Sequence, residues 1–285
     1  MRLIYILIIT VFLAGCGGNK LFSKKTSNSP KKGVSKILKN PDPAYKLRMA
    51  EQFFAKKKYI KAQQVYEDVM PYYKLEKEFE DIYYKYAYCA YYQEDYMNAE
   101  NLFKSFLEIF PNSTKAEELD FMRAYCFYKQ SPKPELDQTN TIKAMGIMQT
   151  FINTHPGSVR NKEANEIIDI CRVKLETKDR QSAQLYYDIG QFRATGVAFS
   201  ALLDTYPESM KADEYKLMII KSYYRFAEMS LDEKKVERYE QVINECNEFA
   251  DRFPESKLKK DADEFLNLSQ GNIKKLNNEQ IKTSA

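Results

Sequence analysis

The stretch IFPNSTKAEE, residues 109–118, contains the signals that decide the fold. Related stretches return as THPGSVRNKE (154–163), TYPESMKADE (205–214) and RFPESKLKKD (252–261). Their prolines recur at intervals of 45, 51 and 47 residues. Recurrence at a nearly constant interval indicates an array of similar units, because a single unique core would have no reason to repeat its turns.

Each of these stretches predicts that one helix ends and another begins. Proline cannot extend a helix, because it has no N–H and its ring clashes with the carbonyl four residues earlier. The serine two residues after each proline is a good N-cap, since its hydroxyl accepts from a free amide of the next turn. Acidic residues follow, near the positive end of the new helix dipole. The pattern is therefore typical of tandem helices.

Composition favours an all-α fold. Only nine of the 285 residues are glycine, and four of those precede residue 34. The remainder is rich in Ala, Leu, Glu, Lys, Tyr and Phe, and it lacks the alternation of apolar and polar residues that indicates strands. The chain is also strongly aromatic, with 22 Tyr, 17 Phe and no Trp.

The net charge of +4 hides an uneven distribution. Residues 1–40 contain eight Lys or Arg and no acid, so residues 41–285 carry 36 basic and 40 acidic residues. The part expected to fold is therefore slightly acidic. It also shows no zinc-finger or RNA-binding signature, and we expect no nucleic-acid partner.

The amino terminus predicts an exported chain with a lipid anchor. One Arg precedes an apolar run of eleven residues, which is shorter than the roughly 20 residues of a spanning helix and is typical of a secretory signal. The run ends in Leu-Ala-Gly-Cys, residues 13–16, which resembles the lipobox of bacterial lipoproteins. That resemblance implies removal of residues 1–15 and acylation of Cys16 with diacylglycerol and an N-acyl chain. An ordinary signal peptide with an incidental cysteine is the alternative.

Residues 16–40 predict a flexible basic tether, because they are rich in Gly, Ser, Asn and Lys. No Asp follows Cys16. Among lipoproteins this resembles a product destined for the outer membrane.

Residues 80–113 carry the spacing of a tetratricopeptide repeat. Ala87 and Ala99 lie twelve residues apart, and Phe103, Phe106 and Pro111 follow. This resembles a helix pair of about 34 residues, in which small residues let the two helices approach and bulky residues fill the gap to the next pair.

Similar spacings predict a tetratricopeptide solenoid of about five helix pairs over residues 41–270. The segment QSPKPELDQ forms an insertion loop in the third pair, and a long helical run beginning near residue 159 precedes the fourth. A capping helix follows over about residues 258–268, and residues 271–285 are predicted to be a disordered tail. Because stacked pairs are stabilised by their neighbours, we expect one cooperative array.

The lipobox, the tether, the five repeats and the segment LETKDRQSAQLYYDIGQFRATGVAFSALLDTYPES (175–209) together resemble the BamD family. That family is the lipoprotein subunit of the β-barrel assembly machinery in bacterial outer membranes. It shows Leu-Ala-x-x-Glu in this segment, which the chain meets loosely as Leu175-Glu176-x-x-Asp179. The resemblance implies a location at the periplasmic face of the outer membrane. It also implies docking on the periplasmic domains of a BamA-like barrel subunit and contact with unfolded outer-membrane protein precursors.

Aromatic residues recur on one face of the first helix of several repeats. Spacings of three and four residues put side chains on the same face, and these positions usually look into the groove of a tetratricopeptide array. The predicted peptide-binding residues are Phe54, Tyr84, Tyr88, Tyr91, Phe121, Tyr125 and Tyr128. Such a groove suits an extended peptide with aromatic side chains, because Tyr offers apolar area, a hydroxyl and little entropy to lose. The alternative is that these rings pack between helices as core.

We expect no enzyme, no metal and no cofactor other than the lipid. His155 is the only histidine and precedes a turn proline, and no phosphate-binding or hydrolase motif occurs. Besides Cys16, the cysteines at 89, 126, 171 and 246 form no CxxC pair. Export would allow Cys89 and Cys126 to pair, but free and buried thiols are the stronger expectation.

The resemblance favours a scaffold of the barrel assembly machinery. The alternative is a tetratricopeptide lipoprotein that organises cell-envelope or peptidoglycan-associated complexes, although such proteins typically add a coiled-coil segment and this chain has no heptad run. Glycan-uptake lipoproteins with helical repeats fit less well, because their pockets are rich in Trp and this chain has none.

Overall fold

The computed structural model describes residues 31–284, with the side chains of residues 33–279. Within that part of the chain the regular structure is helical and contains no strand, in agreement with the prediction. The helices are α1 (Lys31–Leu38), α2 (Pro43–Ala55), α3 (Tyr59–Val69), α4 (Phe79–Tyr92), α5 (Tyr96–Ile109), α6 (Ala116–Lys129), α7 (Thr139–Thr154), α8 (Asn161–Asp188), α9 (Phe192–Thr205), α10 (Ala212–Glu228), α11 (Asp232–Arg252) and α12 (Lys259–Ser284). A short 3₁₀ helix, Met70–Tyr73, follows α3.

The chain divides into two compact units, of which the first ends at Phe79. In this unit α2 pairs with α3, and the fully buried Ala50 and Ala62 occupy the small positions of the repeat.

Helix α1 packs on both α2 and α3. It buries Val34 and Ile37, which are 2% and 6% exposed. The second half of the predicted flexible tether is therefore helical, because these two apolar side chains gain a packed environment.

The second unit begins at Glu80 and contains the remaining helix pairs. Successive helices from α5 to α12 pack on one another, and α4 packs on α5 through rings such as Tyr88 and Phe103, whose centroids lie 5.3 Å apart. The pairs are α4 with α5, α6 with α7, α8 with α9, and α10 with α11. With the pair of the first unit they make five helix pairs followed by α12, which confirms the predicted tetratricopeptide solenoid.

The proline turns explain the repeated Pro-x-Ser pattern. Each serine accepts from the amide two residues later, for example from Lys115 N–H at 3.0 Å. The predicted N-cap position is wrong, however, because the N-cap residue of α6 is Lys115, whose side chain makes no capping bond. The serine instead closes the turn that precedes the helix. The same hydroxyl also donates to an acid of the preceding repeat. These inter-repeat bonds are Ser113 to Glu80, Ser158 to Glu117, Ser209 to Glu176 and Ser256 to Asp213. The acids therefore join neighbouring repeats. Glu80, Glu117 and Asp213 also lie in the first turn of their helices, whereas Glu176 lies in the middle of α8.

The turns inside three pairs share a left-handed residue. Lys57, Glu94 and Gly190 have φ of 55°, 61° and 77°, and each lies two residues before its second helix begins. In all three turns the next amide reaches back five residues, as from Asp95 N–H to the carbonyl of Ala90 at 3.1 Å. This is the Schellman arrangement, which favours glycine at the left-handed position.

A glycine sets the distance between α9 and α10. A Cβ atom added at Gly196 would lie 2.6 Å from Cε1 and 2.7 Å from Cζ of the Tyr223 ring. Real Cβ atoms do not approach so closely, so only glycine permits this contact.

The predicted insertion loop lies between α6 and α7, over residues 130–138. The ammonium group of Lys174 donates to Ser131 Oγ at 2.6 Å, and that of Lys178 donates to the carbonyl of Leu136 at 2.7 Å. Both lysines belong to α8, one turn apart. The loop is thus fastened to the long helix of the next repeat.

Helix α12 corrects the predicted carboxyl terminus. It continues to Ser284, whereas the sequence suggested a cap ending near residue 268 and a disordered tail over 271–285. Ile273 and Leu276 pack against the core of the second unit, and the Asn272 side chain donates to Tyr224 Oη at 3.3 Å. A few apolar contacts therefore keep a mostly polar segment helical.

Candidate peptide-binding surface

The three predicted tyrosines of α4 adjoin one another. The ring centroids of Tyr84 and Tyr88 lie 4.7 Å apart, and those of Tyr88 and Tyr91 lie 6.0 Å apart. Tyr84 and Tyr91 are half-buried. Tyr88 is only 6% exposed and packs edge-on against Phe103 of α5. Tyr88 is therefore a core residue.

The aromatic residues of α6 repeat this arrangement. Phe121 stacks on Tyr125 at 5.9 Å, and Tyr125 lies 5.6 Å from Tyr128, measured between ring centroids. Phe121 is only 1% exposed and packs edge-on against Phe151 of α7. This corrects its assignment to the groove lining, because its position on the helix points to the second helix of its own pair.

Phe54 belongs to the first unit and is half-buried there. Its ring packs edge-on against Tyr59 at 5.7 Å and Tyr66 at 6.4 Å. The predicted set is thus divided between the two units, with six members in the second.

Glu118 of α6 joins the two aromatic helices of the second unit. Its Oε1 accepts from Tyr84 Oη at 3.1 Å and from Tyr88 Oη at 2.5 Å. The sequence pattern predicts for this glutamate only an interaction with the helix dipole. An acid in the first turn of α6, the first helix of the repeat after the tyrosine-rich α4, is the signal that could have identified it.

Charged groups border this cluster. The Lys115 ammonium lies 5.0 Å from the centroid of the Tyr84 ring, a cation–π distance, and 3.3 Å from Asp81 Oδ1. Burial acts to raise the pKa of Asp81, but hydrogen bonds and charge from Lys85 and Lys115 outweigh it, so its pKa is lowered. One edge of the cluster is therefore a fixed ion pair.

The tyrosine hydroxyls stay protonated at physiological pH. Burial, assisted by the Glu118 charge, raises the pKa of Tyr84 to about 12. Burial also raises the pKa of Tyr91 to about 12, with a smaller contribution from Tyr125. The pKa of Tyr88 is raised by burial and by its bond to Glu118. These hydroxyls are neutral hydrogen-bond donors.

The residues that remain accessible define the tyrosine surface: Tyr84, Tyr91, Tyr125 and Tyr128, all half-buried. Tyr92, 47% exposed, adjoins it, with its ring centroid 5.5 Å from that of Tyr91. The surface offers ring faces together with neutral hydroxyls. That combination can accept apolar side chains and donate to the carbonyls of an extended backbone.

The other predicted residues have structural surroundings or lie outside the described part. Cys89, Cys126, Cys171 and Cys246 are buried thiols that form no disulfide, as expected. Burial raises the pKa of Cys126 and Cys246 to about 12. His155 packs on Phe151 in its turn, with Nε2 3.4 Å from an Asp120 carboxylate oxygen.

Cys16, the signal segment and the first part of the tether lie outside the described residues. Among residues 33–279, no group of three or more His, Cys, Asp or Glu side chains is arranged to hold a metal ion. Nor is any helix between residues 31 and 284 both long enough and apolar enough to cross a membrane.

Stacked helix pairs with proline turns define a protein of the tetratricopeptide class. Residues 41–196 match the family model described as YfiO, outer membrane lipoprotein. Because this match spans more than half of the 285 residues, the chain belongs to that family of outer membrane lipoproteins. The finding confirms the resemblance to BamD.

The solved structures that resemble the chain include two proteins with tetratricopeptide repeats. One is the TPR2AB-domain:pHSP90 complex of yeast Sti1, with 12% identity, coverage of 82% of this chain and 84% of that chain, and a TM-score of 0.38. The other is a TPR repeats protein of Bacteroides fragilis NCTC 9343, with 12% identity, coverage of 82% and 100%, and a TM-score of 0.39. The search of curated proteins returned no match.

Proposed function

We propose that this chain is a non-catalytic subunit of the β-barrel assembly machinery. In this role it scaffolds a BamA-like barrel subunit through that subunit's periplasmic domains and binds unfolded outer-membrane protein precursors. The observation that carries the proposal is the tyrosine surface, which occurs in a chain of the YfiO family.

The proposal includes a lipid anchor at Cys16 and an orientation towards the periplasm. The apolar run and the Leu-Ala-Gly-Cys sequence support acylation of Cys16. Several acyl chains would hold the protein firmly, since each buried CH₂ contributes roughly 0.8 kcal/mol. The helix pairs would then work beside the membrane into which the precursors insert.

The tyrosine surface supports binding of the end of a precursor strand. Such a segment is extended, so its backbone carbonyls are free to accept from the Tyr91 hydroxyl, which is neutral. Its aromatic side chains can pack on the rings of Tyr125 and Tyr128. Aromatic pairs of this kind contribute about 0.5–1.5 kcal/mol beyond the area that they bury.

Affinity purification from solubilised outer membranes tests the scaffold role. A tagged full-length chain is purified with crosslinks mapped to residues. We expect a BamA-like barrel to copurify and to crosslink to the helix pairs. Recovery of peptidoglycan enzymes without a barrel would favour the alternative, a lipoprotein that organises envelope complexes.

Binding of a short precursor peptide ending in phenylalanine tests the tyrosine surface. The variant Tyr125→Ala/Tyr128→Ala should weaken binding about tenfold or more, equivalent to about 1.4 kcal/mol. Tyr186→Ala is the matched control, because Tyr186 is 44% exposed on α8, away from this set. Tyr88→Ala is unsuitable, since its loss would open the core. Equal affinity of the double variant and the wild-type chain would refute peptide binding at this surface.

A further inference from the structure

The turn between α2 and α3 carries a concentrated positive charge. Residues 56–61 read KKKYIK, and the side chains of Lys56, Lys57 and Lys58 are exposed. Ile60 is 53% exposed beside them. Lys61 is half-buried, with its ammonium 5.8 Å from the centroid of the Phe53 ring. We call residues 56–61 the basic turn.

The charge of the basic turn is not neutralised within the first unit. Residues 31–79 contain twelve Lys or Arg and six Asp or Glu, whereas residues 80–285 contain 28 basic and 34 acidic residues. Among the described side chains, no carboxylate forms an ion pair with Lys56, Lys57 or Lys58. Lys46, by contrast, is buried and paired with Asp68 at 2.6 Å. The three exposed ammonium groups are therefore available to an external anion.

We propose that the basic turn binds anionic phospholipid head groups and gives the chain a second contact with the membrane. Clustered lysines attract anionic lipid, and an apolar side chain among them can enter the interface. Four lysines with one exposed isoleucine have this composition. An acidic protein segment would use the charges, but it would have no need of an isoleucine exposed between them.

The position of the basic turn in the chain agrees with this occupant. Helix α1 begins at Lys31, fifteen residues after Cys16, so an extended connection spans at most about 50 Å. The first unit is thus held within reach of the membrane that contains the anchor. The inference uses the proposed acylation of Cys16 only for this setting, and it goes beyond the proposed assembly role.

Vesicle cosedimentation tests the surface without the anchor. The mature chain from residue 16 carries Cys16→Ser, so that no acyl group contributes. It is mixed with vesicles of phosphatidylethanolamine and phosphatidylglycerol in a seven-to-three ratio, or with neutral phosphatidylcholine vesicles. We expect salt-sensitive binding to the anionic vesicles. Lys56→Gln/Lys57→Gln/Lys58→Gln should weaken it at least about tenfold, given about fivefold per lysine near the surface.

The matched control is Lys257→Gln/Lys259→Gln/Lys260→Gln, which removes three exposed charges from the second unit. It changes the net charge equally and should bind like the wild-type chain.

Ile60→Ser should weaken binding to the anionic vesicles severalfold, and salt should not alter this loss. Equal losses in both triple variants would overturn the proposal, because they would indicate attraction by net charge alone. Unchanged vesicle binding of the basic-turn variant would also overturn the proposal. It would indicate that these lysines bind an acidic protein partner instead.

The result is independent of the assembly role. Failure of vesicle binding would leave the copurification of a barrel subunit unaffected. Failure of that copurification would likewise leave vesicle binding unaffected. The two experiments therefore distinguish the inference from the proposed function.

Discussion

Glu118 accepts hydrogen bonds from two tyrosines of the preceding repeat, so one carboxylate holds both rings. Tyr88 is almost fully buried, and its hydroxyl relies on this acceptor. A buried hydroxyl that loses its partner costs free energy, because water cannot replace the bond. At the residue scale, the tyrosine surface therefore depends on a residue that is itself not aromatic.

We expect Glu118→Ala to lower the free energy of unfolding by about 1–3 kcal/mol, the cost of an unsatisfied buried polar group. Urea denaturation of the full chain measures it. In a Tyr88→Phe background the same substitution should cost clearly less, because the buried hydroxyl is already gone. Equal costs in both backgrounds would show that the bond from Tyr88 does not stabilise the protein.

Gly196 provides a second prediction at the residue scale. Gly196→Ala should lower the free energy of unfolding by about 1–3 kcal/mol, because the new methyl group must displace the Tyr223 ring. Gly146→Ala is the control, since open space surrounds that helical glycine, and it should stabilise by about 0.5–1 kcal/mol. Thermal and urea unfolding of both variants give the comparison. Stabilisation by both substitutions would contradict the close approach at Gly196.

The sequence predicted the tyrosine cluster correctly as a cluster but not the exposure of its members. Spacings of three and four residues put Tyr84, Tyr88 and Tyr91 on one helix face, and their rings do adjoin one another. That face is wide, however, and the residue nearest the partner helix is buried. Tyr88 and Phe121 are the buried members, and they stand at different places in the two triplets. Burial therefore depends on how the second helix packs and cannot be read from spacing alone.

At the scale of the element, the left-handed turns show a mismatch between residue type and conformation. Gly190 adopts positive φ without cost, whereas Lys57 and Glu94 adopt it with their Cβ close to the following carbonyl. The hydrogen-bonded turn requires that conformation whichever residue is present. Only Gly190 gave a sequence signal, so the other two turns could not be predicted in this detail.

Exchanging residue types at these turns should have opposite effects. Glu94→Gly should raise the free energy of unfolding by about 0.5–1 kcal/mol, since relief of strain exceeds the added entropy of the unfolded chain. Gly190→Ala should lower it by about 1 kcal/mol, although open space surrounds the site. Urea denaturation tests both. Destabilisation by Glu94→Gly would mean that its side chain contributes more than the strain costs.

At the scale of the whole molecule, four buried thiols are distributed through the second unit, from α4 to α11. Cys89 lies in α4 and Cys246 in α11, with the other two between them. Labelling requires an opening that exposes the thiol, and it requires the thiolate form. The raised pKa of Cys126 and Cys246 keeps them protonated while they are buried.

In the Cys16→Ser chain we expect all four thiols to be alkylated slowly and at one common rate under native conditions. The reason is that helix pairs stabilise one another, so the second unit opens cooperatively. Mass spectrometry of digested samples gives the rate at each cysteine, with samples in denaturing urea as the fast control. Much faster labelling of Cys246 than of Cys89 would show that the carboxyl-terminal pair opens separately.

The two ends of the described chain show what composition could not predict. Residues near α1 and the end of α12 are polar and rich in Lys and Asn, which favours disorder. Both segments are nevertheless helical, because Val34 and Ile37 in one case, and Ile273 and Leu276 in the other, find packed surroundings. The repeat interior was predictable because many residues share its pattern, whereas each end depends on two side chains.

The bond from each turn serine to an acid of the preceding repeat has a consequence for how such a chain can change length. Deleting residues from Pro111 up to the residue before Pro156 removes both Ser113 and Glu117, and it brings Ser158 into register with Glu80. Neither a serine nor an acid loses its counterpart in such a recombination. Genes for arrays of this kind can therefore gain or lose whole helix pairs at the prolines, because the serine at the new junction already has an acid to which it can donate.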